Sequence, residues 1–87
     1  MSSRARRIIL DEVSEAEKLI REKKDRYVNF RDVSLIAKYL IYKGTQRNKL
    51  KKRLQEVLAS FPNFNLDLRI SEIDRAIRTA WLHPIRN

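Results

Sequence analysis

Residues 29–61 read NFRDVSLIAKYLIYKGTQRNKLKKRLQEVLASF, and the reading of this stretch decides the fold. Asn29-Phe30-Arg31-Asp32 has the form of a helix capping box, with Val28 placed as the hydrophobic staple before it. The helix that follows should run to about Lys43. Val33, Ile36, Ala37, Leu40 and Ile41 share one face, while Leu35, Tyr39 and Tyr42 fall on the opposite side. A helix that is apolar nearly all round belongs at the centre of its domain. Its second face is either a further core contact or an exposed patch, and the core contact is the expectation. Gly44, the sole glycine, follows the last apolar residue and suits a left-handed C′ position. Thr45 is placed to cap a third helix over about 46–60, with Leu50, Leu54, Val57, Leu58 and Phe61 in register. Helices two and three then make a tight hairpin.

Upstream, a first helix is expected from about residue 4 or 8 to 26. Ile9, Val13, Ala16, Ile20 and Tyr27 form its apolar stripe, widened by Leu10 and Leu19. Acidic residues crowd its first half and Arg21, Lys23, Lys24 and Arg26 its end, which suits the helix dipole. Downstream, Phe61-Pro62-Asn63-Phe64-Asn65 is a turn-rich link whose two aromatics should close the core. Leu66, Leu68 and Ile70 alternate with Asp67 and Arg69, the pattern of a short extended segment. Ser71-Glu72-Ile73-Asp74 has the form of a second capping box, opening a fourth helix over about 72–82. That helix should bury Ile73, Ala76, Ile77 and Ala80, with Trp81 a further candidate for burial, and His83-Pro84 should end it.

Length and composition agree with this outline. Eighty-seven residues make one small domain with one modest core, residues 1–7 allowing a flexible basic lead. The chain is 43% hydrophobic and 36% charged, with one glycine and two prolines. So few breakers favour helices joined by short turns. The expected fold class is therefore all-α: a compact four-helix domain with a central helical hairpin and room for a short extended segment before the last helix. Without cysteine, disulfides and thiolate metal sites are excluded. No apolar run approaches the roughly 18 residues of a membrane span. The basic start is followed at once by Asp11, Glu12, Glu15 and Glu17, unlike a signal peptide. A cytoplasmic setting is expected.

Residues that carry catalysis are sparse. His83 is the only histidine, glycine-rich phosphate loops are ruled out by a single glycine, and no serine has an evident base. Asp11 with Glu12, or Asp67 with Glu72 and Asp74, could in principle hold Mg²⁺. Glu72 and Asp74 are better explained as first-turn residues favoured by the dipole. The expectation is a non-enzyme without cofactor or metal.

The charge distribution points elsewhere. Residues 33–55 hold Lys38, Lys43, Arg47, Lys49, Lys51, Lys52 and Arg53 and no acid, so seven of the nine net positive charges fall there. A charge this localised implies a polyanion, most often nucleic acid. Lys49, Lys52 and Arg53 lie opposite the leucines of helix three, with Arg47 and Lys51 at the margins. Lys38 and Lys43 extend the patch from helix two. A helix of about 15 residues spans roughly 22 Å. Five phosphate contacts would give log K a slope of roughly −4 to −5 against log salt on duplex. Faces kept only for solubility usually mix signs at i, i+4, as helix one does. Such a patch would not survive if the third helix turned its lysines toward carboxylates elsewhere in the fold. A helix-turn-helix is weakly signalled, because helix two continues past the point where its turn would sit. Tyr39 and Tyr42 beside Lys38 and Lys43 could stack single-stranded bases, although core or rim positions suit them better.

Residues 29–81 resemble the small helical accessory domains found C-terminal to the catalytic part of phage and plasmid primases and primase–helicases. The resemblance lies in Leu35-Ile36-Ala37-Lys38-Tyr39-Leu40, Tyr42-Lys43-Gly44, the leucine-rich helix and Asn/Pro link, and Ser71-Glu72-Ile73-Asp74-Arg75-Ala76-Ile77-Arg78-Thr79-Ala80-Trp81. It implies a replication accessory of a mobile element and transfers no catalytic residue. Helix three is more basic than such a domain requires.

The function expected is a nucleic-acid-binding accessory protein that contacts the phosphate backbone with little sequence preference. The alternative is a protein-interaction module, such as a phage inhibitor or assembly subunit, docking on a larger nucleic-acid-processing enzyme. Its apolar anchors would be Leu35, Tyr39, Tyr42 and Trp81.

Overall fold

The computed structural model describes residues 3–22 and 27–85, with side chains described from Glu12 onward in the first helix. The chain forms α1 (Ser3–Glu22), α2 (Phe30–Tyr42), α3 (Arg47–Ala59) and α4 (Ile70–Leu82), with no strand among the described residues. The all-α expectation holds. Helix begins at Ser3. The expected end of helix one at Arg26 lies outside the described residues.

The start of α2 follows from its sequence. Asn29 Oδ1 accepts from the Asp32 amide at 2.8 Å, and the Asn29 amide donates to Asp32 Oδ2 at 3.2 Å. Two of the amides that a helix start leaves orphaned are thereby satisfied. Val28 and Val33, at the staple positions, are both buried. At the other end Gly44 adopts φ 94°. Its amide donates to Ile41 O and the Thr45 amide to Leu40 O, both at 3.0 Å. This is a Schellman closure, and the left-handed residue it needs is the glycine. Thr45 does not cap α3; the N-cap is Gln46, without a side-chain bond.

α2 packs against α1, α3 and α4, as its all-round apolarity requires. Ile36, Leu50, Leu54, Leu58 and Ile73 are fully buried, and Phe61 and Phe64 close the core from the link after α3. Each buried large aliphatic side chain contributes about 1.5–3 kcal/mol of transfer free energy. Leu35, on the second face of α2, is buried too, in a cleft it shares with Glu12 of α1. Of that face Leu35 is buried and Tyr39 half-buried, while Tyr42 is exposed, so the expected core contact is met only in part. Tyr27 departs from the expected stripe: it lies beyond α1 and is 68% exposed.

The alternating segment before α4 is not extended. Asn65 Oδ1 accepts from the Leu68 amide at 3.1 Å, and the Arg69 amide donates to Leu66 O at 3.3 Å, folding residues 66–69 into turns. Alternation means a strand only where a neighbouring strand pairs with it, and none does here. Leu68 is left 81% exposed. The turn starts α4 at Ile70 with Arg69 as N-cap, so Ser71 lies inside the helix and the second capping box does not form.

Arg69 holds this corner together. Its Nη1 donates to Val28 O at 2.6 Å, while Nε and Nη2 donate to the two carboxylate oxygens of Glu72 at 3.0 and 2.8 Å. The guanidinium also sits over the rings of Tyr27 and Phe64, at 5.0 and 4.5 Å. One side chain thus joins the segment before α2, the segment after α3 and the first turn of α4. The bidentate geometry is the strong form of such a bond. Hydrogen bonding to Arg69 holds the Glu72 carboxyl below its ordinary 4.5 and raises the Arg69 guanidinium further.

Candidate nucleic-acid interface

The seven basic residues of residues 33–55 divide into four groups. Lys38 faces α1, where Nζ lies 3.7 Å from Glu12 Oε2 with only 21% of the side chain exposed. It does not extend the basic patch, contrary to expectation: position 38 faces the α1 seam, not the surface beside α3. Lys51 and Arg53 meet carboxylates on the surface, Lys51 reaching Asp74 of α4 at 3.1 Å and Arg53 reaching Glu56 at 3.6 Å. Arg47 lies over the indole of Trp81, 5.3 Å from the ring centroid. Lys43, Lys49 and Lys52 are exposed and have no carboxylate partner among the described residues.

The positions on α3 follow from its periodicity. Leu50, Leu54 and Leu58 recur every four residues and are buried. At about 100° per residue, Lys49, Lys52 and Glu56 point directly away from that stripe and Arg53 lies near them. Lys51 sits at the flank toward α4, where Asp74 awaits it. The condition set by the sequence is thus met in part. One carboxylate from another helix, Asp74, reaches the α3 cations, and Glu56 lies on the same face. Both ion pairs are about half exposed. Such pairs are worth about 0–1 kcal/mol each and yield readily to a competing phosphate. Five cations of α3 against Glu56 and Asp74 leave the surface positive.

Between α3 and α4 lies an open groove of about 550 Å³, lined by Arg47, Lys51, Asp74, Ile77, Arg78, Trp81 and Leu82. Trp81 is 37% exposed and Leu82 is exposed. The sequence marked Arg47 as marginal, Trp81 as a candidate for burial or an apolar anchor, and Arg78 as merely outward-facing. It gave no sign that the three line one groove, since that depends on the antiparallel packing of α3 and α4.

The proposed anchors separate as well. Leu35 is buried and cannot serve as one. The Tyr39 hydroxyl donates to Glu17 Oε2 at 3.1 Å. Burial, then that hydrogen bond, raises its pKa above the ordinary 10.0. Tyr39 therefore belongs to the α1–α2 seam and not to a stacking platform with Tyr42. Tyr42 and Trp81 remain accessible.

Among the described residues no group of three metal-ligating side chains forms. Glu72 is engaged by Arg69 and Asp74 by Lys51. No described helix is long and apolar enough to cross a membrane. No protein-family model matches this chain, and neither curated proteins nor solved structures provide a match.

Proposed function

We propose that this protein is a non-enzymatic nucleic-acid-binding accessory that grips the phosphate backbone through the outer face of α3. The observation that carries the reading is the exposure of Lys43, Lys49 and Lys52 without carboxylate partners among the described residues. Cations kept for solubility are usually interleaved with acids, as on α1. On α3 the only acid is Glu56, near the C-terminal end. Backbone contact of this kind carries no base readout, so little sequence preference is expected. The ligand implies an intracellular site of action. The likeness of residues 29–81 to primase accessory domains supports a place in the replication of a phage or other mobile element.

The test is a triple charge reversal, Lys49→Glu, Lys52→Glu and Arg53→Glu, with circular dichroism to confirm the helical fold. Binding to random-sequence DNA and RNA should be lost while the fold persists. Unchanged affinity in the folded variant would defeat the proposal. The second reading, a module docking on a larger nucleic-acid-processing enzyme, is favoured by the exposure of Trp81, Tyr42 and Leu82. It predicts capture of one protein partner and no salt-sensitive nucleic-acid binding.

A further inference from the structure

Trp81 is the chain's single tryptophan. It is part of a wall, not an isolated rim residue. Its indole stands in the α3–α4 groove with the Arg47 guanidinium over the ring, Ile77 and Leu82 as apolar neighbours, and Lys51, Arg78 and Asp74 completing the lining. Asp74 is matched by Lys51. Arg47 and Arg78 have no carboxylate partner among the described residues. The groove therefore combines an accessible aromatic surface with two uncompensated cations. Its volume of about 550 Å³ lies within the range of roughly 300–1,000 Å³ typical of small-ligand sites. It also continues the basic surface, because Lys51 borders it while Lys49 and Lys52 lie around the same helix.

These features suit one ligand chemistry. A duplex offers α3 its phosphates but keeps its bases stacked inside, so the aromatic wall has nothing to hold. A single strand offers phosphates and unpaired bases together. Nucleic-acid sites that prefer single strands combine a positive groove with aromatic stacking surfaces. An apolar protein segment would leave Arg47 and Arg78 unmatched, and an acidic one would gain no stacking from the indole. We propose that the α3–α4 groove seats an unpaired base against Trp81 and the Arg47 guanidinium, so that the protein holds single-stranded nucleic acid more tightly than duplex. This rests on the phosphate-binding reading of α3 and adds a ligand class to it.

The experiment uses the full chain and its own fluorophore. The protein is titrated with a short oligothymidylate, with a duplex of equal length and with polyglutamate. Trp81 emission and an independent binding signal are followed together. The oligothymidylate should quench Trp81 and bind more tightly, while the duplex binds with little quenching. Trp81→Ala should weaken oligothymidylate binding by about tenfold and leave duplex binding nearly unchanged. Trp81→Phe, which keeps a ring, should restore most of the loss and guards against an alanine variant that fails to fold. Tight binding of both nucleic acids without quenching would overturn the base seat and leave the phosphate reading intact. Quenching by polyglutamate as strong as by oligothymidylate would overturn it in favour of an acidic peptide ligand. Binding of neither nucleic acid would remove the phosphate reading and this inference together.

Discussion

The α1–α2 seam and the outer face of α3 are built from the same kinds of residue and behave differently. Across the seam Lys38 meets Glu12 with little of its side chain exposed, Arg31 meets Glu15 at the surface, and Tyr39 donates to Glu17. On α3, Lys49 and Lys52 point outward and form no ion pair among the described residues, while Lys51 and Arg53 make about half-exposed pairs. The count of basic residues is therefore a poor guide to function. What matters is whether each charge has already been answered within the fold. On the seam, charge helps fix which face of α1 lies on α2; on α3, it is left available for a polyanion.

Changes on either side of the contrast should give opposite results. The largest effect is expected on binding: reversing Lys49, Lys52 and Arg53 to glutamate should weaken nucleic-acid affinity about a hundredfold or more, without loss of helix content. Lys38→Gln, on the seam, should leave affinity unchanged in the same assay, because that charge is already matched by Glu12. Loss of binding on replacing Lys38 would erase the distinction.

Arg69→Ala comes next and should act on stability alone. It removes the bidentate bond to Glu72 and the donor to Val28 O, and it uncovers two aromatic rings. A cost of about 2 kcal/mol is expected, or roughly 8–16 °C in Tm for a domain of this size. Arg69→Lys should recover little, since an ammonium cannot reproduce the planar fork. Thermal melts check both, and nucleic-acid affinity of the folded fraction should not move.

Gly44→Ala should cost about 1 kcal/mol, from the left-handed backbone alone. An added Cβ there would meet no atom within 4 Å. Since the turn sets how α3 leaves α2, unchanged chemical shifts along α3 would show that the hairpin tolerates the strain.

The smallest effects depend on pH. The folded-state carboxyl of Glu72 is held below its ordinary 4.5 by Arg69. Its contribution is present in full above about pH 4.5 and fades as the pH falls through the lower folded value. The stability gap between wild type and Glu72→Gln should shrink accordingly in acid melts. Tyr39 has the opposite sign. Its hydroxyl is raised above 10.0, so its contribution holds below pH 10 and is lost as the pH climbs through the raised value. Tyr39→Phe should cost about 0.5–1 kcal/mol at neutral pH.

Local signals were readable where a short stretch of chain contains its own answer. Asn29 and Asp32 cap α2 within four residues, Gly44 closes it, and Leu50, Leu54 and Leu58 mark the buried stripe of α3. Tertiary answers were not readable. The alternation of Leu66, Leu68 and Ile70 resembled a strand, but Asn65 had a turn to cap and there was no partner strand. The Ser71 capping box lost to a helix that had already started, with Arg69 engaging Glu72 and Lys51 drawing Asp74 toward α3. Arg69 itself was invisible as a clamp, because its Val28 partner lies 41 residues away. On the candidate site, the acid-free run marked all seven cations alike and did not separate Lys43, Lys49 and Lys52 from those that find a partner. The withdrawal of Lys38 and the meeting of Arg47, Arg78 and Trp81 depended on how α1 and α4 pack.

The most direct measurement is the salt dependence of binding to a random duplex, for the wild type and the Lys49→Glu/Lys52→Glu/Arg53→Glu variant. With about three to five phosphates engaged, log K for the wild type should fall against log salt with a slope of roughly −3 to −5. The variant's slope should collapse toward zero. A flat wild-type slope, or a steep slope that survives in the variant, would contradict the account.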